Sequence, residues 1–236
     1  MSEHTTSANT TVLLIGASRG LGLAIAAEYL DRGAQVVATV RGPGRTALHE
    51  LSDSSGGRLE IEHVDIDEPD QVLALVDRLG ARRFDLLFVN AGVANRRGET
   101  TVDVATEEFV RLMVTNALSP MRVVEALGQL VEPDGTIAVM SSGQGSIANN
   151  ERGGFEIYRA SKSALNQLMR SYAARHRDDD RTLLLMAPGW VQTDLGGPGA
   201  RLTVAESIPN LVTTVDAQRG RRGLHFLDYL SRTVPW

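Results

Sequence analysis

The feature that most constrains this chain is a recurrence. Short, nearly continuous apolar runs return along it, separated by stretches with helical spacing. The runs are TVLLIG (11–16), QVVATV (35–40), RLEIEHVDI (58–66), FDLLFVNAG (84–92), GTIAVMSS (135–142), RTLLLMAPG (181–189) and GLHFLDY (223–229). A strand with one wet face alternates apolar and polar residues, whereas a strand covered on both faces does not. Between the runs, residues 20–34 carry a helical pattern that ends at a glycine. Val72, Leu75, Val76 and Leu79 share a helical face behind Pro69, a residue suited to a first helical turn. Longer helical regions cover 104–131 and 155–176. Covered strands alternating with helices build a parallel sheet, and right-handed crossovers wind it twice. The predicted fold is α/β: a single-domain, doubly wound, Rossmann-type parallel sheet with helices on both faces. Residues 11–236 form that domain, and residues 1–10 read as a disordered polar tail.

Composition removes several classes of function. The formal charge is −5 with both signs interspersed, which disfavours nucleic acid or an acidic membrane as a partner. Arg221 and Arg222 make only a short basic pair, and the DDD run at 178–180 reads as a solvated loop. With no cysteine there is no disulfide, thiol nucleophile or thiolate metal site. The five histidines are scattered without ligand spacing, so no metal is expected. The opening MSEHTTSANTT lacks the basic start and apolar run of a signal peptide, and no apolar run is long enough to cross a bilayer. A cytoplasmic protein is the expectation.

In a doubly wound sheet, ligands bind outside the carboxyl ends of the strands. Here those ends carry GASRGLG, VRGPGR, DID, NAG, SSGQGS and PGW. Gly16, Gly20 and Gly22 permit a tight first turn, and the helix start behind it offers N–H groups and a positive dipole end to a pyrophosphate. The same turn also matches G-x-S-x-G, a hydrolase nucleophile elbow with Ser18, followed in order by Asp194 and His225. That reading leaves no earlier strand to build an oxyanion hole, and it leaves the Tyr158–Lys162 pair unexplained. The second strand ends in Thr39-Val40-Arg41, without the carboxylate that an NAD ribose usually meets. Arg19 and Arg41 suit a 2′-phosphate instead, which favours NADP.

One lysine stands among 24 basic residues, and it is Lys162, four positions after Tyr158 on a predicted helix. Residues four apart share a helical face. A cation there favours the phenolate and lowers a tyrosine pKa that is otherwise near ~10. A phenol tuned in this way exchanges a proton with an alkoxide. A compact ammonium, unlike a planar guanidinium, approaches both a phenol and sugar hydroxyls.

Gly16-Ala17-Ser18-Arg19-Gly20-Leu21-Gly22, Asn90-Ala91-Gly92, Ser141-Ser142, Tyr158-x-x-x-Lys162 and Pro188-Gly189 stand in the order found in the short-chain dehydrogenase/reductase family. The sequence resembles that family from about residue 11 to 236. YRASKSALN, PGWVQTDLGG and the PW ending are similar to its small carbonyl-reductase branch. The resemblance implies an NADP(H)-dependent oxidoreductase acting on a small carbonyl or alcohol substrate, as a homodimer or homotetramer packed through the fourth and fifth helices. It implies Tyr158 as general acid/base, Ser142 bonded to the substrate oxygen, Lys162 holding the nicotinamide ribose, and Asn116 anchoring a proton relay. It places Gly16, Ser18, Arg19, Gly20, Leu21, Gly22 and Arg41 at the phosphates, with Asp65 and Ile66 beside the adenine. Asn90, Ala91 and Gly92 fall near the ribose, and Pro188, Gly189, Val191 and Thr193 near the carboxamide. Gln144, Ile147, Phe155 and Trp190 are expected to line the substrate pocket. The 190–202 loop, short and Gly-rich, is expected to be a mobile lid.

Two departures stand out. Ile15 replaces the threonine that often precedes the first glycine, which predicts the loss of one turn hydrogen bond. NNERGGFE lengthens the interval before Tyr158, which leaves Ser141 and Ser146 as alternatives to Ser142. A protein that keeps the nucleotide pocket as a sensor, with little turnover, is the rival reading.

Overall fold

The computed structural model describes residues 10–96 and 98–236, so most of the predicted tail lies outside the described residues. Thr10, which the sequence assigned to the tail, is buried, and its carbonyl accepts from the Gln35 N–H at 2.9 Å. All seven apolar runs become strands: β1 (Thr11–Ile15), β2 (Gln35–Val40), β3 (Leu59–His63), β4 (Phe84–Val89), β5 (Val131–Met140), β6 (Thr182–Ala187) and β7 (Gly223–Asp228). They form one sheet in the order β3-β2-β1-β4-β5-β6-β7, every neighbouring pair parallel. The order reverses between β1 and β4, so a crevice opens beyond the ends of those two strands.

Among the described residues seven α-helices cover the sheet: α1 (Gly20–Asp31), α2 (Ala47–Ser54), α3 (Pro69–Leu79), α4 (Thr106–Met113), α5 (Ser119–Leu127), α6 (Glu156–Arg175) and α7 (Val204–Ala217). Strand residues alternate between two cores. Leu13 and Ile15 pack with Leu75, Val124, Leu165 and Met169 on one face. Val12 and Leu14 pack with Ile25, Tyr29, Ile208 and Leu211 on the other.

The structure adds what apolar periodicity did not show. α2 and α7 were not predicted, although each begins with a capping box, Thr46 with His49 and Thr203 with Glu206. The helical region predicted over 104–131 is broken by a π-turn, Val114–Leu118. Pro120 follows and has no N–H to donate to the Asn116 carbonyl four residues back, which favours a wider turn there. The 190–202 loop, expected to act as a lid, is hydrogen-bonded within itself. Gln192 N–H donates to the Leu202 carbonyl at 2.8 Å, Leu202 N–H to Trp190 at 3.0 Å, and the Trp190 indole to Gly196 at 2.8 Å.

Both sheet edges are guarded. On β3, Glu60 and Glu62 pair with Arg82 and Arg78 at 2.8 and 2.7 Å. Past β7 the chain doubles back: Val234 N–H donates to the Phe226 carbonyl at 2.8 Å, and Thr233 bridges antiparallel to Leu227. No helix among the described residues is long and apolar enough to cross a membrane.

Candidate functional site

The first turn is built by close approach. A Cβ on Gly22 would lie 2.1 Å from the Gly16 carbonyl oxygen, and one on Gly16 would lie 2.9 Å from the Ala91 backbone. Neither position admits a side chain. The Asn90 amide locks the turn by donating to the Gly16 carbonyl at 2.7 Å. The bond expected to be lost with Ile15 has a counterpart, because the Thr39 hydroxyl of β2 accepts from the Gly16 N–H at 2.9 Å. Behind the turn, α1 starts at Arg19 with no capping side chain and no acid in its first turn. An uncapped helix start free of carboxylates fits a pyrophosphate. Ser18 and Leu21 are half-buried around this start.

Charged groups flank it. Arg41 is exposed just past the end of β2. Arg19 pairs with Asp194 of the 190–202 loop at 2.6 Å, both largely exposed. Asp65 accepts from the Asp67 N–H at 3.1 Å, whereas the Ile66 side chain is buried in the core and leaves only its main chain to face a base. The rival hydrolase set does not assemble. Asp194 is held by Arg19, and His225 lies on β7, separated from β1 by three intervening strands, with its ring on the Arg222 carbonyl.

The ends of β4, β5 and β6 bring the other predicted residues together. Asn116, fully buried in the π-turn, accepts from the Val93 N–H and donates to the Val93 carbonyl, both at 2.8 Å. Its amide also donates to Ser161 Oγ of α6 at 3.0 Å, and that hydroxyl donates to the Tyr158 carbonyl at 2.8 Å. A Cβ on Gly92 would sit 3.3 Å from Asn116 Oδ1 and 3.4 Å from Lys162 Nζ, so the NAG turn covers both. Pro188 accepts from the Ser207 hydroxyl at 2.7 Å; Gly189 has φ +84°, and a Cβ there would also strike Leu202 at 2.5 Å. Val191 is buried and bridges to Leu202, and Thr193 Oγ1 accepts from Gly196 N–H at 3.1 Å.

The three serines separate. Ser141 is buried and donates to Asn166 Oδ1 at 2.6 Å. Ser146 is buried and accepts from Asn149 N–H at 3.2 Å. Ser142 is the one of the three whose hydroxyl acts on the Tyr158 phenol, lowering its pKa, and it accepts from the Gln144 N–H at 3.1 Å.

The electrostatic expectation is reversed. Burial pushes the Tyr158 phenol up to about 12, and the nearby Ser142 hydroxyl only partly opposes it. Lys162 is 3% exposed, and burial lowers its ammonium to about 8. Its Nζ lies 5.9 Å from the Tyr158 ring centroid and donates to the Met140 carbonyl at 2.9 Å. Desolvation therefore outweighs the attraction that the sequence suggested.

Of the predicted pocket residues, Ile147, Phe155 and Trp190 are exposed and Gln144 is half-buried. Phe155 caps α6 in the left-handed region, at φ +54°. Sequence reasoning missed Ser161 and Val93, which fix Asn116. A serine and a main chain give no composition signal.

A doubly wound parallel sheet with this rim defines a Rossmann-type oxidoreductase. The sequence pattern of the short chain dehydrogenase family matches residues 10–200, and the chain belongs to that family. A short-chain dehydrogenase/reductase of Burkholderia multivorans, solved with bound NADP, is 58% identical, with a TM-score of 0.95 over 96% of this chain and 99% of that one. A carbonyl reductase of Pseudomonas aeruginosa PAO1 in complex with NADP is 38% identical, with a TM-score of 0.89 over 96% of this chain and 99% of that one. The C-signal protein of Myxococcus xanthus is 36% identical over 154 residues, 64% of this chain and 92% of that protein.

Proposed function

We propose that this protein is an NADP(H)-dependent reductase of ketones or aldehydes with Tyr158 as its proton donor. The convergence of Ser142, Tyr158 and the buried Lys162 between the end of β5 and α6 carries the reading. Bound NADPH would supply a hydride to the carbonyl carbon. The chain's own groups handle the oxygen. Ser142 donates a hydrogen bond to it, and Tyr158 delivers the proton that converts the forming alkoxide to an alcohol. A phenol raised to about 12 keeps its proton through neutral pH until that alkoxide forms. Lys162, at about 8, is mostly cationic at neutral pH and stabilises the phenolate left behind. At roughly 6 Å and an effective dielectric near 20, such a pair is worth on the order of 3 kcal/mol.

The NADP choice is supported by the absence of a carboxylate at the end of β2, by Arg19 and Arg41, and by the NADP-bound relatives. Gly16, Gly20 and Gly22 would admit the pyrophosphate, and Gly92 and Lys162 the nicotinamide ribose. The same family reading carries a homodimer or homotetramer through the 104–131 helical region and α6, where Phe109, Val110, Leu118 and Leu168 are exposed. Light scattering is expected to return two or four times 25.5 kDa, and a monomer at working concentration removes that part of the reading.

Tyr158→Phe is expected to abolish NADPH consumption against a panel of ketones, aldehydes and quinones while leaving NADPH fluorescence titration unchanged. Full turnover in that variant defeats the mechanism. A second reading, a nucleotide-binding signal protein, draws on the relative named C-signal. It is favoured if the wild type binds NADPH and turns over nothing on the panel.

A further inference from the structure

The connection from β5 to α6 runs from Ser142 to Phe155, and residues 147–155 are all exposed. Its start is tied from α6: Ser163 Oγ and Asn166 Nδ2 both donate to the Gly145 carbonyl, at 3.0 and 3.1 Å. Its end is tied to the first turn of α6, where Arg159 Nε donates to the Gly154 carbonyl at 2.8 Å. The middle has two local bonds, Asn149 N–H to Ser146 Oγ at 3.2 Å and Asn150 N–H to Ile147 O at 3.1 Å. One further bond arrives from elsewhere in the chain. The Ala148 N–H donates to the main-chain oxygen of Trp236 at 3.0 Å. Among the described residues it is the only hydrogen bond that reaches residues 147–154 from outside the connection and α6.

Trp236 is itself held on two sides. The Phe226 ring of β7 lies 5.6 Å away at 47°, and the Arg170 guanidinium of α6 stands 4.7 Å from the indole centroid. Two residues earlier, the buried Val234 is hydrogen-bonded to β7. The segment therefore turns back from the sheet edge and sets Trp236, still partly exposed, against β7, α6 and the exposed middle of the connection.

We propose that Trp236 is a positioning residue. Its ring, clamped between Phe226 and Arg170, seats its carbonyl beneath Ala148 and fixes the adjoining Ile147 at the mouth beside Ser142 and Tyr158. The identity of that mouth rests on the reductase reading; the clamp does not. Substrates large enough to reach Ile147 then sense residue 236, and small ones do not. Alanine at 236 keeps the acceptor oxygen but removes both ring contacts that hold it still. Phenylalanine keeps an aromatic face for both.

Trypsin reports on the clamp without any turnover, because Arg152 lies within the exposed stretch. With the full chain under native conditions, cleavage after Arg152 is expected to run roughly fivefold faster in Trp236→Ala and near the wild-type rate in Trp236→Phe. Arg170→Ala, on the exposed side of α6, is expected to accelerate it as well. In ketone reduction, Trp236→Ala is expected to raise KM severalfold for a bulky aryl ketone, with kcat held and the KM of a small aliphatic ketone unchanged. Wild-type cleavage rates in both Trp236→Ala and Arg170→Ala overturn the proposal, and so does an equal KM rise for large and small ketones. If Trp236→Ala does not fold, Arg170→Ala decides alone. If no ketone is turned over, the cleavage rates still decide the clamp and the reductase reading fails separately.

Discussion

Lys162 shows how far a single residue is legible. Its rarity and its spacing from Tyr158 drew attention to one face of α6, and in the structure Lys162 Nζ lies close to Gly92 of the NAG turn. Its effect on the phenol was misjudged, because sequence shows neighbours along a helix but not how dry they are. Burial sets both groups: Lys162 falls from 10.5 to about 8, and Tyr158 rises from 10.0 to about 12. The two shifts oppose each other in stability. Between about 8 and 10.5 the unfolded chain holds the lysine proton and the folded chain does not, so stability rises with pH. Between 10.0 and about 12 the folded chain holds the tyrosine proton, so stability falls as pH rises. Lys162→Met is expected to lose the rise between about 8 and 10, a slope of at most ~1.4 kcal/mol per pH unit. Urea denaturation of both proteins across that range measures it. A parallel rise in wild type and variant removes Lys162 as its source. The choice among Ser141, Ser142 and Ser146 was likewise out of reach, since partners such as Asn166 come from a helix far along the chain.

Elements were legible in proportion to their burial. Strands covered on both faces read as unbroken apolar runs, and every one was found. α2 buries only Leu48 fully, and α7 carries Pro209 in its interior, so each lacks a plain apolar stripe. Their capping boxes, T-x-x-H and T-x-x-E, were the signals available, the second being the commoner form. The π-turn at Asn116 was hinted at only by Pro120, which also suits an ordinary helix start. The first turn is the element whose geometry is least negotiable. Gly22→Ala is expected to abolish NADPH binding or folding outright, because its methyl would lie 2.1 Å from the Gly16 oxygen. Gly143→Ala, with nothing within 4 Å of the new methyl, is expected to leave binding within about twofold. Fluorescence titration of NADPH and thermal melts separate the two. Near-normal binding by Gly22→Ala contradicts the packing described for the turn.

For the whole molecule, stability resides in the two cores that sandwich the sheet. Leu184, at the centre of β6 and fully buried, is expected to cost about 2–5 kcal/mol when cut to alanine. Val110, half exposed on α4, is expected to cost within about 0.5 kcal/mol in the isolated chain. Chemical denaturation curves test the contrast, and equal losses would deny that the sheet interior dominates. The sheet's two borders carry a different consequence. One is fenced by carboxylates paired to arginines, and the carboxyl half of the other is already occupied by the returning segment around Thr233. A second molecule therefore finds little free backbone ladder to join. Merging the sheets of two copies into one continuous ribbon is thereby disfavoured at both borders.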